Sequence, residues 1–141
     1  MDIRVLSPAY AVAPQIDPGD LAEIAAQGFG TIIDNRPDAE IPTSHQAEAM
    51  QAAAAAAGLT FVANPVTHQS LNMDMVTLQR TTLDQSEKPV LAYCASGTRS
   101  TIVWALGQAR DLPSAQIISA AADAGYDISG LQSQLDQLFN G

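Results

Sequence analysis

Pro89-Val90-Leu91-Ala92-Tyr93-Cys94-Ala95-Ser96-Gly97-Thr98-Arg99-Ser100-Thr101-Ile102-Val103 carries the chain's one cysteine. A short apolar run ends at that cysteine, small residues with a central glycine follow, and an apolar helical pattern begins at the arginine. The stretch reads as strand, anion-cradling loop and helix. Small residues let the backbone curl so that the N–H groups of Ala95, Ser96, Gly97 and Thr98 point inward, and the helix behind adds its positive end. Cys94 stands at the mouth of that field, where a thiolate is favoured over a thiol and serves as a nucleophile. Arg99 can aim its forked donors at a bound oxyanion. Ser100 can hydrogen-bond the thiolate or cap the helix. A lone cysteine at a strand end is more often a small buried hydrophobe. Gly97 and Arg99 at these offsets, between a strand and a helix start, turn the balance toward a reactive one.

Working outward, strands and helices alternate. Ile3 to Leu6 and Tyr10 to Ala13 read as an edge hairpin or two edge strands. Asp17-Pro18 opens a helix that Gly28 ends. Thr31-Ile32-Ile33 is a short β-branched strand that empties into the polar loop Asp34-Asn35-Arg36-Pro37-Asp38. Ligands gather at the C-terminal edge of open α/β sheets, which makes Arg36 a candidate second anion contact, with an ion pair to Asp34 or Asp38 as the plainer alternative. Thr43 and Gln46 fit a capping box for an alanine-rich helix through Ala57. His45 is read as solvated. Leu59 to Ala63 makes the next strand and Asn64 to Ser70 a loop containing His68. A helix capped by Asn72 follows, with Met75, Val76, Leu78 and Leu83 inward. After the cysteine loop, Ile102, Val103, Leu106 and Ala109 form a helical stripe with Trp104 as packing. Two further helices, 114–124 and 129–139, cover a sheet face, and the Gly125-Tyr126-Asp127 link between them is either a plain connection or a wall of the site. The pattern predicts one α/β domain over residues 1–141, with a four- to five-stranded mixed or parallel sheet flanked by helices on both faces.

The motif Cys94-x-x-Gly97-x-Arg99-Ser100 resembles the active-site loop of rhodanese-type sulfurtransferases, which also has four residues between cysteine and arginine. It is similar as well to the cysteine phosphatase loop, Cys-x-x-Gly-x-x-Arg-Ser/Thr, with one residue missing. The order of Gly30-Thr31-Ile32-Ile33-Asp34-Asn35-Arg36-Pro37-Asp38, then Phe61-Val62-Ala63-Asn64-Pro65-Val66, then the cysteine loop, resembles the bacterial beta-lactamase-hydrolase-like phosphatase-like family across about residues 3 to 110. That family is a dual-specificity-phosphatase-like domain, also found fused to sulfur-oxidising metallohydrolases. The resemblance implies a cysteine phosphatase-like fold with Cys94 as nucleophile and Arg99 as oxyanion holder. Two departures stand out. Pro65 and Val66 occupy the place where dual-specificity phosphatases carry an aspartate that protonates the leaving group, which leaves His68 as the nearby substitute; such an acid is worth roughly 10²–10⁴-fold. Tyr93 stands where many cysteine phosphatases have a histidine.

Sulfur transfer through a Cys94 persulfide needs no such acid, so it is the leading expectation from sequence. Phosphatase chemistry through a Cys94 phosphocysteine comes second, and a non-catalytic anion-binding module third. The expected partners are a small oxyanion or a sulfane-sulfur donor with a thiol acceptor. With 15 acidic against 6 basic residues, a net charge of −9 in 141 residues repels nucleic acid and anionic membrane, so neither is expected as a partner. No metal or other cofactor is expected, since His45 and His68 are far apart and poorly accompanied. One cysteine excludes an internal disulfide, and without a signal peptide or apolar span the reading is a cytoplasmic protein.

Overall fold

A computed structural model describes all 141 residues. Five strands, β1 (Arg4–Ser7), β2 (Tyr10–Ala13), β3 (Thr31–Asp34), β4 (Thr60–Ala63) and β5 (Val90–Tyr93), form one mixed sheet in the order β1-β2-β5-β3-β4. Only β1 is antiparallel to its neighbour; β2, β5, β3 and β4 run parallel. The expected edge hairpin is therefore half right. β1 is an edge, whereas β2 is an interior strand, with all four residues buried. Tyr93 pairs in register with Ala13 on one side and Asp34 on the other, so the cysteine loop leaves the sheet at its centre.

Six helices cover the sheet: α1 (Leu21–Ala26), α2 (Ala47–Ala56), α3 (Met73–Gln85), α4 (Thr98–Gln108), α5 (Ser114–Asp123) and α6 (Gln132–Asn140). Alternation along β5 divides the core. Val90 and Ala92 face one side with Trp104, Leu106, Ile117 and Leu135 of the later helices, while Leu91 and Tyr93 face Leu21, Ile24, Met50 and Ala54 of α1 and α2. Trp104 stacks on Tyr10 with ring centroids 6.1 Å apart, the packing role expected for it. No helix is long and apolar enough to cross a membrane.

Local readings differ at three points. α2 begins at Ala47, not Thr43, because residues 43–45 form a separate 3-10 turn. Its start is held from upstream: Asp38 Oδ1 accepts the Ala47 N–H at 2.8 Å, and Gln46 Nε2 donates to the carbonyls of Asp38 and Ile41. His45 is not merely solvated, since Nε2 meets Asp17 Oδ1 at 2.6 Å and Nδ1 meets Ser44 Oγ. On α3, Leu78 points outward and Gln79 takes the buried place on the face of Val76.

Candidate active site

The strand, loop and helix expected around Cys94 are present, but of the four loop amides expected to face an anion, those of Gly97 and Thr98 are bonded within the protein. Cys94 is fully buried at the tip of β5, and the Gly97 N–H donates to its Sγ at 3.1 Å. Gly97 sits at φ +95°, a left-handed conformation that reverses the chain into α4 without side-chain strain. The amides of Ala95, Ser96, Arg99 and Ser100 make no hydrogen bond within the protein. Together with the positive end of α4 they form a nest of unpaired donors whose chemistry suits an anion. Thr98 is tied to Ser96 instead, its N–H and Oγ1 both meeting Ser96 Oγ. Ser100 departs from expectation. Its hydroxyl is fully buried without any hydrogen bond, so it neither bonds the sulfur nor caps the helix; Gly97 is the N-cap, and the Ser100 carbonyl accepts from the Tyr10 hydroxyl at 2.8 Å.

Arg99 is held by a residue the sequence did not disclose. Its Nη1 donates to Glu40 Oε2 and to the Val66 carbonyl, both at 2.8 Å, and Nη2 donates to Glu40 Oε1 at 2.7 Å. The Arg99 side chain is only 11% exposed, so this two-pronged pair is screened less than a surface bridge. Glu40, with Cys94 as a lesser contributor, keeps the guanidinium firmly protonated, and Arg99 in turn holds the Glu40 carboxyl below the usual range. The end-on contact with Glu40 leaves the side edge of the guanidinium, Nε–H and the second Nη2–H, without a partner in the protein. Arg36 serves Glu40 as well: its Nε donates to Glu40 Oε1 at 3.2 Å and its Nη1 to Gln15 Oε1 at 3.2 Å. It is thus an ion pair, as the plainer alternative held, but with Glu40 in place of Asp34 or Asp38. Its backbone N–H is what reaches Asp34.

A buried polar hub sets the depth of the surrounding loops. Gln79 Oε1 accepts from Asn35 Nδ2 at 3.0 Å and Asn64 Nδ2 at 2.9 Å, while its Nε2 donates to Asn35 Oδ1 and the Tyr10 hydroxyl, each at 2.9 Å. All four bonds available to the amide are used, as burial demands. Asn35 also donates to the Asn64 carbonyl and accepts the Val66 N–H, which fixes the carbonyl that Arg99 uses. The only signal in the sequence was a glutamine three residues after an inward valine.

Beyond Val66 the opposing loop rises into solvent. His68 is exposed and lines a cleft of about 450 Å³ together with Glu40, Thr67 and Gln69 on one set of loops and Ala95, Ser96, Thr98 and Arg99 on the other. A larger hollow of about 600 Å³ lies at the N-terminal edge of the strands, bordered by Phe29, Thr31 and Lys88, away from the cysteine. Beneath the cleft, burial pushes the Asp34 carboxyl up to about 6 against the restraining Arg36 N–H. Beside the nest, the Tyr126 hydroxyl donates to the Ser96 carbonyl at 3.0 Å, so the link between α5 and α6 braces the cysteine loop from behind without lining the cleft.

A cysteine at the tip of the central parallel strand, an amide nest and an arginine at the helix start are the marks of a cysteine phosphatase-like α/β domain. The family model described as "Beta-lactamase hydrolase-like protein, phosphatase-like domain" matches residues 2–111, and the chain belongs to that family. The crystal structure of a "putative phosphatase" from Neisseria meningitidis Z2491 is 34% identical, with a TM-score of 0.84 over 98% of this chain and 99% of that one. Tk-PTP in its G95A mutant form shares the fold at 17% identity, with a TM-score of 0.76 over 99% of this chain and 95% of that one. The beta-lactamase hydrolase-like protein of Xylella fastidiosa (strain Temecula1) is 34% identical over 112 residues, which is 79% of this chain and 26% of the relative. The chain thus spans about a quarter of the length of that curated relative.

Proposed function

We propose that the chain is a phosphoric monoester hydrolase that works through a Cys94 phosphocysteine. The observation that carries this reading is the unengaged side edge of Arg99, a parallel pair of N–H donors beside four free amides and the Cys94 sulfur. Such a set matches the three outer oxygens of a phosphoryl group in transfer. The Cys94 thiolate attacks phosphorus, the S–P bond forms, and the P–O bond breaks with its electron pair on the leaving oxygen. Water then attacks phosphorus, the S–P bond breaks, inorganic phosphate departs and the thiolate is restored. The family match and the phosphatase neighbours support this order of preference over sulfur transfer.

A specific observation keeps sulfur transfer as the second reading. The cleft's only carboxyl, that of Glu40, is held ionised by Arg99 and is a poor proton donor, so His68 alone remains to protonate an alkoxide. In a persulfide route the Cys94 thiolate would attack the outer sulfur of a sulfane donor such as thiosulfate, the donor's S–S bond would break with sulfite leaving, and a thiolate acceptor would then take the outer sulfur and restore the Cys94 thiolate, with no alkoxide to protonate. The decisive experiment is acid-quenched intact mass spectrometry after an aryl phosphate or thiosulfate is added. The expected result is one phosphoryl group on wild type and none on Cys94→Ser, with turnover lost to background in the variant. A stable gain of one sulfur with no phosphoryl adduct would reverse the assignment.

A further inference from the structure

We propose that Tyr126 is a positioning residue for the anion-binding loop, its hydroxyl setting the plane of the Ser96–Gly97 peptide so that the Gly97 N–H faces the Cys94 sulfur. The two ends of that single peptide carry the observation. Its carbonyl accepts from the Tyr126 hydroxyl at 3.0 Å, and its N–H donates to Cys94 Sγ at 3.1 Å. In a planar trans peptide these two groups point in opposite directions, so a donor fixed on the carbonyl side aims the N–H. The fit is close: a Cβ on Gly97 would strike the Tyr126 hydroxyl, so this hydroxyl reaches the loop only because residue 97 is glycine.

Tyr126 is itself held in place. Its N–H donates to the Ala121 carbonyl at 2.9 Å, the Arg4 guanidinium lies 5.4 Å from its ring centroid, and Arg4 Nη1 donates to the Ala124 carbonyl at 3.0 Å. Burial raises the phenol's pKa, so the hydroxyl remains a protonated donor at neutral pH. The residue lies beyond the 2–111 segment of the family match, so the last two helices contribute to the site through it.

The assignment rests on reading the loop as an oxyanion site, though not on the fate of any ester. The test compares wild type, Tyr126→Phe and a variant with p-aminophenylalanine at position 126, using tungstate as the probe, calorimetry for affinity and NMR for exchange of the Gly97 amide. The phenylalanine variant keeps the ring and should melt close to wild type. It is expected to bind tungstate about tenfold more weakly, the loss of one ordinary hydrogen bond, and to lose exchange protection at Gly97. The amine restores a donor, so that variant should recover both properties. Unchanged tungstate affinity and Gly97 protection in Tyr126→Phe, weak binding by the amine variant, or no tungstate binding by wild type would each overturn the assignment. Tungstate bound normally by a protein that hydrolyses no ester would refute the phosphatase reading and leave that of Tyr126 standing.

Discussion

The two loops that face each other across the cleft are built to different standards. The cysteine loop is fixed at every point: Gly97 by its left-handed turn, Ser96 by Tyr126, Arg99 by Glu40 and Val66. The opposing loop is fixed only at its base, where Asn64 and Val66 enter the hub, and from Thr67 to Ser70 its hydrogen bonds run between its own side chains and backbone. Formation of a covalent intermediate demands geometry accurate to a fraction of an ångström, whereas proton delivery to a good leaving group demands nothing. On the proposed phosphatase chemistry, the contrast predicts a rate that depends steeply on the leaving group.

The largest effect should come from disturbing the well-built side. Arg99→Lys keeps the charge but loses both the Glu40 fork and the side edge, and turnover of an aryl phosphate should fall by roughly 10²–10³-fold, with Arg110→Lys as an unaffected control. Comparable rates for wild type and Arg99→Lys would remove the arginine from the chemistry. A smaller effect tests the sparse side. His68→Asn should leave p-nitrophenyl phosphate hydrolysis unchanged and reduce hydrolysis of an alkyl phosphate by about a hundredfold, the lower end of the range for a general acid. Equal loss on both substrates would mean that His68 binds rather than protonates.

The smallest effect lies under both loops. Asp34 has a folded pKa of about 6 against an ordinary 3.8, so between these values the native state binds more protons than the unfolded chain. Stability from this group is therefore present below pH 4 and lost as the pH rises through 6. Asp34→Asn keeps an acceptor for the Arg36 N–H and should flatten that decline. Its melting temperature is expected to exceed that of wild type by a few degrees at pH 7 and to match it near pH 4, as differential scanning calorimetry would show. A wild-type melting temperature independent of pH over that interval would contradict the buried-carboxyl account.

What could be read in advance was whatever depends on neighbours in the chain. The strand-loop-helix around Cys94 is local, and its glycine, arginine and apolar stripe lie in one short run. The overturned capping box at Thr43 shows the limit of such reading, because Asp38, nine residues before Ala47, supplies the cap by folding back. Glu40 and Gln79 were invisible for the same reason, and Tyr126 stood out only as part of a link whose role the sequence left open. Each meets its partner across a long stretch of chain, Glu40 with Arg99, Gln79 with Asn35 and Tyr126 with Ser96, and no periodicity announces a contact of that kind. Leu78 and Gln79 illustrate the other failure: hydrophobicity assigned the leucine inward, but the hub needed an amide at that face of α3, and the helix turned accordingly.

The Gln79 amide spends all its bonding capacity on three partners, drawn from β2, the end of β3 and the end of β4. No partner can leave without stranding a polar group inside the protein, and each stranded group costs about 1–3 kcal/mol. The walls of the cleft are consequently coupled: a fluctuation that frees one raises the energy of the others, so the pocket opens as one cooperative unit rather than loop by loop. A substrate that stiffens the Arg99 edge would, through Val66 and Asn35, quieten the sheet edge on which the whole pocket stands.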